Sequence, residues 1–461
     1  MVCFASLLLL MLLLPALETK PAPGEFAWNA FGIWSGDEPH YLVAINSLVN
    51  DKDTELGNNY RNIHLGGLDA GKRFQNSRLD HHTYLIDKST GKSWLWMSVF
   101  DFEGQVPCSR SAPDSQCFLA RSQRMPAIDL GRSIERSAHP IAFPAMVAAT
   151  ILPFSPAPKQ VETFAVATQI FYGWLTLLLL YWVGRSVGLG RLPACLSLVV
   201  LCLASPWLLY TRSLYTEIFC SLLMVLALLL FLQQWIMTAG VVVAIAFAVK
   251  PLYVVVGLGW IVFLLLERRF RAAVRLAAIL GILGVLLCAY HYQQLGTIFM
   301  TGSQEWDPPN SWKRAFGAFV DIEHGVLWFV PWILIVVWVL LGDIKNAWKG
   351  PRRVELVIGL PLVLHALLLI LHAQTGGDCY ASRYYVAFLP WCSLVLVRSL
   401  CRKSSTWFKA AAVTLLLGAA TWAIPGWLYY HHVWSKPFYT ASVDLWDHAR
   451  AQLSASPEHR R

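Results

Sequence analysis

The chain has 461 residues, of which 56% are hydrophobic and only 14% charged, with 21 Trp, 23 Phe and a mean hydropathy of +0.49; a water-soluble protein carries charge on about a quarter of its residues. Its net charge of +9 does not point to a nucleic-acid partner, because the Lys and Arg residues sit largely at the ends of apolar segments, where they set membrane orientation. Composition therefore excludes an ordinary soluble enzyme and predicts an all-α polytopic membrane protein.

In chain order, residues 1–17 form the first apolar run. They are expected as a first transmembrane helix, although Pro15-Ala16-Leu17 leaves a cleaved signal peptide equally open. Residues 18–160 are mostly polar and are expected as a large extracytoplasmic loop. Within it, Ile141 to Phe154 is apolar but too short to span, since a helix needs about 20 residues, so it is expected to be interfacial or re-entrant. The segments His82–Asp87 and Lys92–Met97, separated by Lys88-Ser89-Thr90-Gly91, have the pattern of a β-hairpin. Arg121, Arg124, Arg132 and Arg136 read as a solvated or lipid-headgroup-facing stretch. Cys108 and Cys117 are the one cysteine pair close together in a polar region, so a short disulfide loop is open if that region faces an oxidising compartment.

From Val161 the apolar segments fall near 162–184, 192–210, 217–237, 240–249, 251–266, 272–290, 324–342, 354–372, 384–400 and 408–428. With the first run this predicts about eleven transmembrane helices, a membrane bundle over 161–429 and an extracytoplasmic tail over 430–461. The basic groups Arg185 and Arg191; Arg268, Arg269, Arg271 and Arg275; Lys345, Lys349, Arg352 and Arg353; and Arg398, Arg402, Lys403 and Lys409 fall on one side only if 240–266 crosses twice, with Lys250-Pro251 at the turn. The opposite side then holds nearly all the carboxylates, histidines and aromatics found outside the spans. The many Trp residues near segment ends, such as Trp235, Trp328, Trp348, Trp407 and Trp427, read as interfacial belts.

The strongest local signal is Ser35-Gly36-Asp37-Glu38-Pro39-His40-Tyr41-Leu42. Two carboxylates before a proline can cap a helix lying along the membrane surface; a carboxylate held at that boundary can also act as general base on an incoming hydroxyl. Both readings are open. Lys250 stands within a long uncharged run, which is costly unless it serves a function, though snorkelling to the interface is the simpler alternative. Arg212 and Glu217 are about a helical turn apart and can pair with each other. The planar fork of Arg383 suits phosphate oxygens. Asp321, Glu323 and His324 can cap the helix that starts near Gly325. The pairs His81-His82 and His431-His432 lack Cys or carboxylate partners at ligand spacing, so no metal is expected; a divalent ion is conceivable without sequence support.

Gly36 to Leu42, together with Glu55-Leu56-Gly57-Asn58-Asn59-Tyr60, resembles the first-loop motif of bacterial membrane glycosyltransferases of the GT-C superfamily, related to protein mannosyltransferases and aminoarabinose transferases. Ser137-Ala138-His139-Pro140, Tyr215-Thr216-Glu217, Lys250-Pro251, Phe319 to Leu327 and Gly376 to Tyr385 are similar to further segments of that family, and the resemblance covers roughly residues 30–400. It implies inverting transfer of a sugar from a polyprenyl-phosphate donor to a glycan, lipid or protein acceptor, at the periplasmic face of a bacterial inner membrane. On that reading Asp37 and Glu38 are catalytic, Lys250, Arg383 and Arg212 hold the donor phosphate, and His40, Tyr215, Glu217, Glu323 and His324 line the substrate site. Gln374 and Thr375 depart from the tryptophan that often precedes the glycines in similar sequences, so acceptor recognition does not carry over. A transporter or flippase of a lipid-linked or anionic substrate is the alternative, and a transporter would place its charges nearer the midplane and on both sides.

Overall fold

The computed structural model describes residues 37–64, 82–91, 93–96, 133–295, 317, 319–321, 325–347, 353–371, 383–402, 405–428, 443 and 447. The expected first helix, Cys108, Cys117, Arg121, Arg124, Arg132, Glu323, His324 and the glycine-rich stretch 376–382 lie outside the described residues.

The part before residue 160 contains α1 (Glu38–Asn46), α2 (Gly57–His64), the strands β1 (Thr83–Asp87), β2 (Ser93–Trp96) and β3 (Ser133–Ser137), and α3 (Ala142–Ile151). The bundle begins with α4 (Val161–Ser186), α5 (Arg191–Leu203), the short α6 (Trp207–Tyr210), α7 (Thr216–Leu232), α8 (Ile236–Val249), α9 (Val254–Leu266) and α10 (Phe270–Leu295). It continues with α11 (Val326–Phe329), α12 (Ile333–Ala347), α13 (Arg353–Leu371), the 3-10 turn Arg383–Phe388 leading into α14 (Leu389–Arg402), and α15 (Thr406–Leu428). Among the described residues four stretches are long and apolar enough to cross a membrane: α4, α10, Arg383–Arg402 and Thr406–Ile424. The other described segments expected as spans have apolar helical stretches of 10–17 residues, shorter than a straight crossing needs.

Local chemistry explains the breaks. Pro206 has no N–H to continue α5, and the carbonyls freed there are taken up by side chains: Ser205 Oγ donates to the Leu201 carbonyl at 2.5 Å and Trp332 Nε1 to the Ala204 carbonyl at 2.6 Å. The expected turn at Lys250-Pro251 is present, with Lys250 extended (φ −151°, ψ 112°) between α8 and a 3-10 turn that opens α9. α9 then packs closely on α13. A Cβ on Gly259 would lie 2.7 Å from the Pro361 nitrogen, so only glycine permits that approach.

Two expectations about the loop are corrected. The helix after Asp37 is not amphipathic along a surface, since all nine residues of α1 are buried within the protein. Its apolar run Tyr41 to Ile45 is continuous rather than periodic, and α3 and α4 pack on it. The hairpin is present, with Tyr84 opposite Leu95 and Asp87 Oδ1 accepting from Ser89 N at 2.7 Å in a turn closed by Gly91 (φ +67°). A third strand extends it into a sheet of order β2-β1-β3, with β1 in the centre. Arg136 belongs to β3, opposite Tyr84, is half-buried and donates to the Thr54 hydroxyl. Ser133-Ile134-Glu135-Arg136-Ser137 has a single apolar residue, and what recruits it is the unpaired edge of β1 rather than its own pattern.

Candidate active site

Asp37 sits at the N-cap position of α1, yet its side chain caps nothing. Its carbonyl accepts from Tyr41 N at 3.1 Å. Its carboxylate turns instead to Arg383, whose Nη1 donates to Oδ2 at 2.8 Å across 346 positions of sequence. The guanidinium lies 5.0 Å from the Tyr215 ring and 5.6 Å from the Tyr384 ring, a cation–π cradle that fixes its plane. Glu38 is fully buried, and its Oε1 accepts the Leu214 N–H at 2.6 Å, tying the start of α1 to the turn that precedes α7. Arg212 is buried in that same turn, two residues before Leu214.

Glu217, in the first turn of α7, accepts from Lys250 Nζ at 2.6 Å, and the ammonium lies 4.5 Å from the Tyr384 ring. Lys250 and Arg383 thus flank one tyrosine. The hairpin turn supplies one cation and the lead-in to α14 the other. Both are tethered to carboxylates, so two full charges stand ready without being isolated in a poorly solvated region.

Three histidines complete the site. His40 Nδ1 meets the Tyr60 hydroxyl at 2.8 Å, and the His40 and His82 rings stack at 3.9 Å. His82 Nδ1 lies 3.1 Å from His139 Nε2, which in turn is 4.0 Å from Asp37 Oδ1. The sheet makes this possible: Ala138 N donates to the His82 carbonyl at 2.8 Å, bringing the residue before β1 beside the segment after β3.

Electrostatics follow from this packing. Burial alone would raise the Asp37 carboxyl, but Arg383, with His139 and His82 adding to it, outweighs burial and holds the group well below the usual carboxylate range. For His139 burial is the largest influence and lowers it, with Asp37 pulling the other way. The donor atoms of Asp37, His82 and His139 lie within 4.8 Å of one another. A tetrahedral ion with ligands at about 2.0–2.1 Å sets neighbouring donors roughly 3.4 Å apart, so the three can hold a divalent cation with small adjustments.

Of the residues singled out from sequence, the structure brings together Asp37, Glu38, His40, Tyr215, Glu217, Lys250 and Arg383, with Arg212 close by in the chain. Sequence reasoning did not assign His82, His139, Tyr60 or Tyr384 to a site. His139 lay inside a recognised His-Pro segment and His82 directly before the expected hairpin, but only the third strand joins them.

No family model matches the chain, and no curated protein matches it. Among solved structures it is similar to the Archaeoglobus fulgidus oligosaccharyltransferase in the apo form, with 12% identity, a TM-score of 0.49, and coverage of 94% of this chain and 56% of that one. It is also similar to the archaeal oligosaccharyltransferase AglB from the same organism in complex with an inhibitory peptide and a dolichol-phosphate, with 13% identity, a TM-score of 0.47, and coverage of 92% and 56%. The chain spans little more than half the length of these structures. A likeness at this level carries no argument, and the chemistry has to come from the side chains described above.

Proposed function

We propose that the chain is a membrane glycosyltransferase that moves a sugar, with inversion, from a polyprenyl-phosphate donor to an acceptor nucleophile at the extracytoplasmic face. The observation that carries this reading is the Asp37–Arg383 pair: a carboxylate and a phosphate-matching cation, 346 positions apart in sequence, held 2.8 Å from each other beside a second cation, Lys250.

The acceptor O–H or N–H binds Asp37 through Oδ1, the oxygen that Arg383 does not hold. The nucleophile attacks the anomeric carbon from the face opposite the lipid phosphate, the carbon–oxygen bond to that phosphate breaks, and the bonding pair leaves with the phosphate. The leaving group gains a negative charge, which Arg383 and Lys250 meet at the moment it develops. Asp37 is too acidic to strip a hydroxyl in the ground state. It receives the proton late, once bond formation has made the nucleophile acidic. His139, 4.0 Å from Oδ1, is placed to take the proton onward. A divalent cation held by Asp37, His82 and His139 would take the place of that proton route, since it would occupy the His139 nitrogen, and would add positive charge beside the acceptor.

The test is a transfer assay with purified protein and radiolabelled polyprenyl-phosphate sugars, wild type beside Asp37→Asn, with membrane extract as acceptor. Loss of label from the lipid that depends on Asp37 supports the reading. No donor consumption, with lipid-linked sugar crossing the bilayer of reconstituted vesicles, would replace it with transport.

A further inference from the structure

At the far end of the bundle from Asp37, the starts of α8 and α10 enclose a cleft of about 750 Å³. Arg268, Arg269, Arg271 and Arg275 line one wall, Ile236 and Met237 the other. Among the described residues no carboxylate lines it; Glu267, adjacent in sequence, is not part of the wall. Among the described residues none of the four arginines is in an ion pair. The backbone favours the clustering: Arg268 has φ +55°, and the Arg268 and Arg269 N–H groups close onto the Leu265 and Leu264 carbonyls, folding the chain sharply into the N-terminus of α10. Four like charges gathered in this way repel one another until an anion enters.

The rim identifies the kind of anion. Trp235 is 64% exposed, Phe270 60% and Met237 44%, an apolar border of no use to a free ion but suited to acyl chains. Depth agrees. α10 has 26 residues, about 39 Å at 1.5 Å per residue, against a hydrocarbon core of about 30 Å. Its last turn, with His291 and Gln294, lines a cavity together with His139. The arginines at its first turn therefore lie at the opposite membrane boundary.

We infer that this cleft binds the phosphate of an anionic phospholipid, of the phosphatidylglycerol type, in the leaflet opposite the Asp37–Arg383 site. Guanidinium forks take the phosphodiester oxygens, and the exposed aromatic and methionine side chains take the upper acyl chains. A zwitterionic lipid presents the same phosphate together with an ammonium that the arginines repel.

The experiment is native mass spectrometry of the full-length protein in detergent, offered phosphatidylglycerol, phosphatidylcholine or inorganic phosphate. Phosphatidylglycerol should be retained about tenfold over phosphatidylcholine. Arg269→Gln/Arg271→Gln should remove that preference, Arg269→Lys/Arg271→Lys should keep most of it, and Arg191→Gln/Lys409→Gln, which removes as many charges from other helix starts, should leave it intact. Equal retention of the two lipids, or equal loss in the two Gln doubles, overturns the site. Displacement of phosphatidylglycerol by millimolar inorganic phosphate would overturn the lipid and leave a free-anion site.

Discussion

The two ends of one helix carry the same chemistry in different surroundings. At the start of the Arg383–Arg402 stretch, Arg383 pairs with Asp37 at 2.8 Å; at its end, Arg402 and Arg398 pair with Glu355 at 2.5 and 3.3 Å. The second cluster joins two helices only 47 positions apart, α13 and α14, through the Arg402–Glu355 bond. No histidine or aromatic cradle surrounds it among the contacts described. The first draws on α1, the turn before α7, the sheet and the hairpin at Lys250, and it places titratable groups within reach of both partners of the pair. An arginine–carboxylate pair is therefore not itself a sign of chemistry. What distinguishes the Asp37 end is that nearly every neighbour could also accept, donate or hold a proton or an anion.

That contrast can be broken most directly by removing each carboxylate. Asp37→Asn should lower transfer by about 10²- to 10⁴-fold with the protein still folded in the membrane, as read by size exclusion and thermal melting beside the rate. Glu355→Gln should do the reverse: turnover per folded molecule stays constant while stability falls by roughly 3 kcal/mol, because two arginines lose a buried partner. If Glu355→Gln reduced turnover as much as Asp37→Asn does, the distinction between the two ends would collapse.

Next in size is Arg383. Arg383→Ala should cost about 100-fold in kcat/KM for the lipid-phosphate donor, and Arg383→Lys should recover only part of it, since a lysine restores charge without the fork. Unchanged kinetics in the alanine variant would remove Arg383 from the donor site.

The histidine cluster sharpens the comparison through pH. Because burial lowers the His139 pKa below its ordinary value of about 6.5, His139 is neutral at neutral pH. Its contribution to stability is fully present above about pH 6.5 and is lost as pH falls through the lower folded value. Activity should follow the same direction, flat near neutrality and falling on acidification, with Asp37 ionised throughout. His139→Asn should flatten that limb; a limb that persists unchanged assigns the titration elsewhere. If a divalent ion occupies the three donors, chelation should lower turnover and His82→Ala should weaken metal retention by about 10- to 100-fold, measured as bound metal on the purified protein.

The smallest expected effect is away from both ends. Gly259→Ala pushes α9 from α13 at Pro361 and should cost roughly 1–3 kcal/mol without changing the pH profile, a control for general loosening of the bundle.

Much of this was readable beforehand. The helical segments from Val161 to Leu428 follow from runs of aliphatic residues, the turn at Lys250 from Pro251, and the hairpin from an alternating pattern around Gly91, whereas the break at Pro206 falls inside what reads as one apolar segment, 192–210. Those are local consequences of period and backbone chemistry, which a sequence carries openly. Asp37, Lys250 and Arg383 stood out in the sequence as a carboxylate before a helix-opening proline, a cation within a long uncharged run and a guanidinium fork matched to phosphate. Their partners were not. Lys250 reaches Glu217 and Arg383 reaches Asp37 only because helices distant in sequence end at the same level. His82 meets His139 only because β3 fills the open edge of β1. Sequence alone determined which residues could not be placed at leisure; the tertiary structure decided which of them meet, because contact between chain segments depends on how helices pack and strands pair, and no local pattern records it.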